Sequence, residues 1–248
     1  MNRHKLMILL FCVSLMASAQ KKGVPGSPGV FGKVVFEEKN GICAVEAEHY
    51  YKQTQTEVRK WYRITAADIP IVSPDPDQPH LKESSGDSYV EILPDTRVTS
   101  NDKLVPGENF SNEPGKMGVL HYKVKINTPG RYFIWVRSYS EGAEDNGLHV
   151  GLDGIWPEHG QRMQWCEGKN EWTWASKQRT QEVHCGVPGE IYLDIHQPGI
   201  HDITFSMRED GFEMDKFILT LDPEYKPVGK GPDPELLKGK LKNLSTVN

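Results

Sequence analysis

Short segments of alternating apolar and polar residues, separated by glycine and proline turns, most constrain the fold of this chain. The clearest segment runs from Val119 to Ile126, where every second residue from Leu120 onward is apolar. Thr128-Pro129-Gly130 then predicts a turn before a second strand over 131–138. Because no segment has a long helical period, the pattern predicts an all-β fold, an antiparallel β-sandwich.

The same pattern predicts strands along most of the chain. The predicted strands cover residues 42–50, 88–93, 119–126, 131–138, 148–152, 190–195, 201–207 and 212–221. Asp210-Gly211 predicts a hairpin turn between the last two. Two regions, 66–117 apart from its central strand and 154–189, lack the pattern and are predicted to be long inserted loops. Long loops in a compact domain often carry function.

The first twenty residues have the features of a secretory signal peptide. A basic start at 3–5 precedes an apolar run over 6–16, and Ala17-Ser18-Ala19 forms a small-residue cleavage site. The run is too short to span a bilayer comfortably. We therefore expect a secreted or periplasmic protein without a membrane span. Its signal peptide would cover 1–20, a flexible leader 21–35, the sandwich domain 36–222, and a C-terminal tail 223–248 with a short helix near 235–241.

The charge of the chain bears on its partners. The formal net charge is −5, and removal of residues 1–20 makes it about −7. A nucleic-acid partner would require a basic stripe, so the balance argues against one. An anionic polysaccharide remains compatible, because one local basic cleft would suffice to bind it.

Three cysteines lie beyond the signal peptide. Cys166 and Cys185 fall in one loop-rich region, and an exported protein permits a disulfide, so we predict that these two are bridged. Cys43 lies in an apolar run and is predicted to be a free, buried thiol.

The second loop region is rich in tryptophan. Aromatic rings stack on the apolar faces of sugar rings, and planar polar side chains bind the hydroxyls. This combination predicts a sugar site, although some of these rings could instead cover the core. The predicted ligand-binding residues of the loop are Trp156, Trp165, Trp172, Trp174 and Arg162.

Two other motifs are candidates for binding. Trp61 and Tyr62 follow a polar stretch and form a second possible sugar-contacting pair, with an ordinary position at the edge of the core as the alternative. Glu46 and Glu48 lie two residues apart, so on a strand they share one face. Like charges this close repel unless a cation lies between them, and Ca²⁺ prefers such oxygen ligands. From spacing alone, two solvated carboxylates explain the pair better.

Five segments in order resemble the family 6 and family 35 types of carbohydrate-binding module. They are Val45 to Glu48, Pro129 to Arg137, Leu148 to Gly154, Pro198 to His201, and Glu213 to Leu219. The sequence is also similar to the C-terminal module of family 115 glycoside hydrolases. The resemblance covers roughly residues 40–222 and implies a galactose-binding-like jelly roll.

The resemblance also implies a structural calcium ion. Its ligands, carried over to matching positions, would be Glu46, Glu48 and Asp215. The chain departs from the family pattern at the closing strand, where many members have a sugar-binding asparagine. The region here reads Glu209-Asp210-Gly211-Phe212-Glu213, so we expect the sugar site to be rebuilt from the inserted loops.

These features favour a non-catalytic module that binds a polysaccharide or oligosaccharide. One alternative is a glycoside hydrolase or lyase with an active site in the 154–189 loop, where Glu158, His159, Glu167, Glu171 and His184 lie, with Asp145 just before the preceding strand. A glycosidase needs two carboxylates that face each other across a cleft, and no motif with that spacing is present. A second alternative is an adhesion module that binds another protein.

Overall fold

The computed structural model describes residues 34–241 and folds them into two β-sheets. The predicted signal peptide and nearly all of the predicted leader therefore lie outside the described residues. Sheet I has nine strands: β1 (Val35–Glu37), β3 (Lys52–Thr54), β6 (Val119–Ile126), β8 (Gly147–Leu152), β9 (Met163–Gln164), β11 (Lys177–Gln178), β12 (Val187–Pro188), β14 (Gly199–Met207) and β16 (Leu236–Lys238). Sheet II has seven: β2 (Ile42–Glu46), β4 (Lys60–Thr65), β5 (Ser88–Leu93), β7 (Gly130–Tyr139), β10 (Thr173–Ala175), β13 (Tyr192–Ile195) and β15 (Glu213–Thr220).

Each sheet is organised around one long strand. In sheet I, β14 lies between β6 and β8 and pairs antiparallel with both. In sheet II, β15 pairs antiparallel with β7, β5 and β2. The pairings are antiparallel except for β1 with β6, so the predicted antiparallel sandwich is confirmed.

The core lies between the two sheets and is rich in aromatic residues. Tyr122 on β6 and Phe205 on β14 both contact Phe217 on β15, with ring centroids 4.9 and 4.7 Å apart. These three side chains are fully buried. Alternate residues of each strand point toward the facing sheet, which is why the alternating sequence pattern located the strands.

Each predicted strand overlaps an observed one, but the predicted loop 154–189 contains four short strands, β9 to β12, and the predicted hairpin at Asp210-Gly211 is wrong. Strand β14 belongs to sheet I and β15 to sheet II, so this turn crosses between the sheets. Gly211 has φ +70°, and a Cβ there would lie 2.5 Å from the Asp95 carboxyl carbon. A glycine turn follows from local backbone needs, and those needs are the same whether the chain stays in one sheet or changes sheets.

The C-terminal segment does not form the expected helix. Residues Leu236–Lys238 form β16, which pairs antiparallel with β1 at the edge of sheet I. Lys230 and Gly229 also contact the domain, through hydrogen bonds to the Ser84 carbonyl and from the Trp174 indole. The described part of the predicted tail is therefore an integral part of the sandwich.

Helical structure is limited to three 3-10 turns within residues 34–241. They cover Ala47–His49, Ser85–Asp87 and Glu158–Gly160. Over this range, the structure has no helix of sufficient length and apolar character to cross a membrane.

Candidate functional site

The two inserted loops form an open cleft at one edge of sheet I. The cleft has a volume of about 770 Å³. Its lining includes three arginines, two glutamates, an aromatic ring and polar side chains: Arg162, Arg179, Arg208, Glu158, Glu182, Phe110, Gln178 and His184. We call this feature the arginine cleft.

Arg208 forms the floor of the arginine cleft. It follows β14 directly and is only 3% exposed. Its Nη1 donates to Glu209 Oε1 at 2.5 Å and to Gln164 Oε1 at 3.1 Å, and its guanidinium carbon lies 4.9 Å from the centre of the Phe110 ring. Burial lowers the pKa of Arg208 from its ordinary value, while the Glu209 carboxylate opposes this shift. The contacts fix the guanidinium in one orientation.

Arg162, one of the residues predicted to bind a ligand, lies on the wall of the cleft. Its backbone has φ +57°, and its amide donates to His149 Nδ1 at 3.1 Å. Its side chain donates to the Arg179 carbonyl and contacts Glu158. The Arg179 amide in turn donates to the Arg162 carbonyl at 2.8 Å, so the two residues support each other.

A buried histidine holds this wall. His149 is fully buried, and its Nε2 lies 3.1 Å from the Ser111 carbonyl. Since a carbonyl only accepts, the Nε2 carries the hydrogen and Nδ1 accepts from the Arg162 amide. Burial, together with Arg208 and Arg162, lowers the pKa of His149 to about 3, against the opposing Ser111 hydrogen bond. The ring is therefore neutral at physiological pH.

A disulfide braces the same loop. Cys166 and Cys185 are bonded, with Cα atoms 5.4 Å apart. Cys185 follows His184, which is part of the cleft lining. Cys43 is a buried free thiol on β2, and burial raises its pKa.

Two of the predicted sugar-binding tryptophans are core residues, so those predictions are wrong. Trp165 is 2% exposed and packs edge-to-face on Phe212, with ring centroids 4.9 Å apart. Trp61 is fully buried and donates its indole N–H to the Gly118 carbonyl at 2.7 Å. Neither ring has a face available for a sugar.

The other predicted aromatic residues are half-buried and lie outside the arginine cleft. Trp156 covers the backbone of Gly115 and Gly151. Trp172 precedes β10 of sheet II, and Trp174 lies on it. Their indole N–H groups donate to the carbonyls of His80 and Gly229, respectively. Tyr62 pairs with Glu91 in sheet II. The structure thus distributes the predicted residues over separate surfaces and places only Arg162 in the cleft.

The residues predicted to bind calcium already have protein partners. Glu46 Oε1 lies 2.8 Å from Lys216 Nζ, and Asp215 Oδ2 lies 2.6 Å from Arg137 Nη1. Glu48 lies in the 3-10 turn that follows β2, so the expectation that it shares a strand face with Glu46 is wrong.

The fit of these three residues to calcium is partial. Glu46 Oε2 and Glu48 Oε2 are buried without a hydrogen-bond partner, which suits a cation. Asp215 has both oxygens engaged, because the Ser85 amide donates to its Oδ1 at 2.7 Å. Calcium at this position stays a prediction.

Most acidic residues of the enzymatic alternative have structural contacts. Glu158 contacts Arg162, and Glu167 pairs with Lys177 at 3.1 Å. Asp145 is buried and accepts from the backbone amides of Glu141 and Gly142.

A different acidic group was not predicted from the sequence. Asp77, Glu91 and Glu213 bring one carboxylate oxygen each to within 4.8 Å of one another. Since they come from a loop and two strands far apart in the chain, spacing could not reveal them. They form the only such group of potential metal ligands that residues 34–241 contain.

Comparison with known proteins gives one close relative of the chain. It is 55% identical over 244 residues to "Uncharacterized protein P23" of Formosa agariphila. The match covers 97% of this chain and 59% of the relative, so the chain spans less than two thirds of that protein's length. No protein-family model matches the chain.

Similar solved structures are more distant. They include a family 35 carbohydrate-binding module from Clostridium thermocellum, with 14% identity, a TM-score of 0.36, and coverage of 72% of this chain and 96% of that one. The C-terminal family 6 module of the laminarinase LamC from Zobellia galactanivorans has 14% identity and a TM-score of 0.33, and the match covers 72% of this chain and 98% of that one. A Podospora anserina mannanase with a family 35 module has 15% identity and a TM-score of 0.39, and the match covers 76% of this chain and 29% of that one. The β-sandwich fold is defined by the two sheets of this protein rather than by these similarities.

Proposed function

We propose that this protein is exported and binds an anionic polysaccharide or oligosaccharide, without cleaving it, in the arginine cleft. The observation that carries the proposal is the convergence of Arg162, Arg179 and Arg208 on one open cleft beside the Phe110 ring. Arginine is suited to bind carboxylate and sulfate groups, because its planar guanidinium donates two parallel hydrogen bonds.

Glu158 and Glu182 also line the cleft, so its preference for an anionic ligand depends on which arginine is left without an ion pair. Arg208 is neutralised by Glu209, and Arg162 contacts Glu158. No ion pair engages the Arg179 guanidinium within residues 34–241, and its side chain is partly exposed. Arg179 is therefore the positive group that an incoming anion would neutralise.

The remaining lining groups suit a carbohydrate. Phe110 offers an aromatic surface, and Asn112 provides an amide group for hydroxyls. The supporting contacts of Arg208 and Arg162 hold the site in place before a ligand arrives, which reduces the entropic cost of binding.

The proposal is tested by titrating matched acidic and neutral polysaccharides into the protein, with polygalacturonate and galactan as the first pair. We expect binding to the acidic polymer alone, without release of reducing ends or unsaturated products. Arg179→Ala should weaken this binding about tenfold, equivalent to about 1.4 kcal/mol.

The matched control is Arg131→Ala. Arg131 is exposed and pairs with Asp194 on sheet II, away from the cleft. Equal losses in both variants would mean that the polymer responds to net charge rather than to the cleft. Product release by the wild type would instead support the enzymatic alternative.

A further inference from the structure

A compact acidic group lies on the side of sheet II that faces away from the core. Glu91 on β5 pairs with Glu213 on β15. Their neighbours Val90 and Met214 are fully buried in the core between the sheets. Because successive strand residues point to opposite faces, both glutamates point outward. They are nevertheless only 3% exposed each.

The first inserted loop covers these glutamates. Asp77 contributes a carboxylate within 4.8 Å of theirs. His80 Nδ1 lies 2.8 Å from Glu213 Oε1, and its ring stacks on Tyr139 with centroids 3.7 Å apart. Loop residues 75, 77 and 80 are half-buried, while the residues between them are exposed. The loop therefore presents its acidic and imidazole groups to the sheet.

Within residues 34–241, no lysine or arginine forms an ion pair with the acidic group. Glu91 makes no hydrogen bond within the described part of the chain, and its Oε1 is buried without a partner, as is Glu213 Oε2. The groups that act on the Glu91 charge are the carboxylates of Glu213, Asp75, Asp77 and Asp95, and with burial they raise its pKa well above the ordinary value.

Other buried carboxylates of this protein are treated differently. Four of them have a basic partner within 3.0 Å, in the pairs Glu46–Lys216, Arg59–Asp210, Arg137–Asp215 and Arg208–Glu209. Others, such as Glu38, Glu48 and Asp95, accept hydrogen bonds from backbone amides or a hydroxyl, which Glu91 does not do among the described residues. A buried charge without a partner is costly, so natural proteins pair such groups or use them to coordinate metals. Within residues 34–241 no basic residue pairs with Glu91, so a bound cation is one way to balance the charge of this group.

We propose that Asp77, Glu91 and Glu213 bind a calcium ion that fastens the first inserted loop to sheet II. Calcium takes oxygen ligands at about 2.3–2.6 Å, so ligand atoms on opposite sides of the ion lie about 5 Å apart. The separation of at most 4.8 Å between the three carboxylate oxygens fits this geometry. The site is distinct from Glu46, Glu48 and Asp215, and it goes beyond the proposed sugar site.

Terbium luminescence tests the proposal directly, because Tb³⁺ replaces Ca²⁺ and is excited by nearby aromatic rings. Trp172 and Tyr89 lie next to each other, with ring centroids 5.2 Å apart, and the Tyr89 hydroxyl accepts the His80 amide of the loop. Tb³⁺ added to the chelator-treated protein should give sensitised emission that Ca²⁺ abolishes. Glu91→Gln should weaken this binding at least about tenfold.

Two further variants serve as controls. Glu141→Gln removes an acid that contacts His80 Nε2 but is not one of the three ligands, and it should bind Tb³⁺ as the wild type does. Glu48→Gln removes the other predicted calcium ligand and should leave the emission from this site intact. If Glu48→Gln removes the emission and Glu91→Gln does not, calcium binds at the first set and the proposal is wrong.

A melting experiment separates a metal ligand from a merely structural residue. Calcium should raise the Tm of the wild type and leave that of Glu91→Gln unchanged. In chelator, Glu91→Gln should melt at or above the wild-type temperature, because within residues 34–241 Glu91 has no hydrogen bond or basic partner to lose. A wild type that binds neither ion, or a Glu91→Gln variant that calcium still stabilises fully, would overturn the proposal.

Discussion

The arginine cleft and the acidic group show how differently one sandwich treats charge. The cleft is open, and its buried arginine, Arg208, is held by Glu209 and Gln164. The acidic group is closed under a loop, and Glu91 has no hydrogen-bond partner within residues 34–241. Under the two proposals, Arg179 remains available for a ligand in the cleft, and a bound cation balances the acidic group.

The largest expected effect on stability is that of a substitution at Arg208. Arg208→Met should lower the free energy of unfolding by about 3–5 kcal/mol, because it leaves the Glu209 carboxylate buried without its partner. Chemical denaturation measures this loss. Arg131→Met is the control and should change stability by less than about 1 kcal/mol, because its pair with Asp194 is exposed. An Arg208→Met variant with the stability of the wild type would show that Glu209 is not held as a charge.

Calcium should produce the next largest effect, and it should act on the acidic group alone. At a hundredfold excess over its Kd, an ion that binds only the folded state adds about 2.7 kcal/mol to stability. We expect this gain in the wild type and in Arg179→Ala, and its absence in Asp77→Asn. Denaturation curves with calcium and with chelator measure it. A calcium effect that Arg179→Ala removes would contradict the separation of the two regions.

Acid should weaken the cleft side through His149. The pKa of His149 falls from 6.5 to about 3 on folding. Below pH 6.5 the unfolded chain therefore binds more protons than the folded protein, so the contribution of His149 to stability is lost as pH falls. At pH 5 the loss is about 2 kcal/mol.

The variant His149→Gln isolates this contribution. Glutamine does not titrate and can still donate to the Ser111 carbonyl. The difference in unfolding free energy between wild type and variant should change by about 2 kcal/mol between pH 7 and pH 5. Carboxylates that titrate in both proteins cancel in this difference. A pH-independent difference would mean that the folded protein protonates His149 normally.

Salt should have the smallest effect and should act on the open region only. The Arg179 side chain is partly exposed, so solvent ions can screen its attraction to an anionic sugar. Raising the salt concentration to 1 M should therefore weaken glycan binding severalfold. The calcium-dependent Tm shift should change less, because buried charges are screened less. Titrations at two salt concentrations compare the two.

The sequence predicted the framework well because strand alternation records which residues face the core. The segment 119–126 was predicted within the bounds that the structure gives it. Where one local signal serves two purposes, the prediction was wrong. The Asp210-Gly211 turn connects different sheets, and the tail contains β16 rather than a helix.

The sites were less predictable because tryptophan is both a core residue and a sugar-binding residue. Trp165 packs on Phe212 in the core, while Trp174 stays half-buried on sheet II. Nothing in the order of the residues distinguishes these environments. The acidic group could not be predicted from the sequence either, since Asp77, Glu91 and Glu213 meet only through folding.

Hydrogen–deuterium exchange with and without a bound acidic oligosaccharide locates the sugar site. We expect the ligand to protect amides of residues 109–113 and 178–184, which line or adjoin the arginine cleft. Protection of residues 172–175 on sheet II, with no change in the cleft segments, would contradict this expectation and would return the sugar site to Trp172 and Trp174.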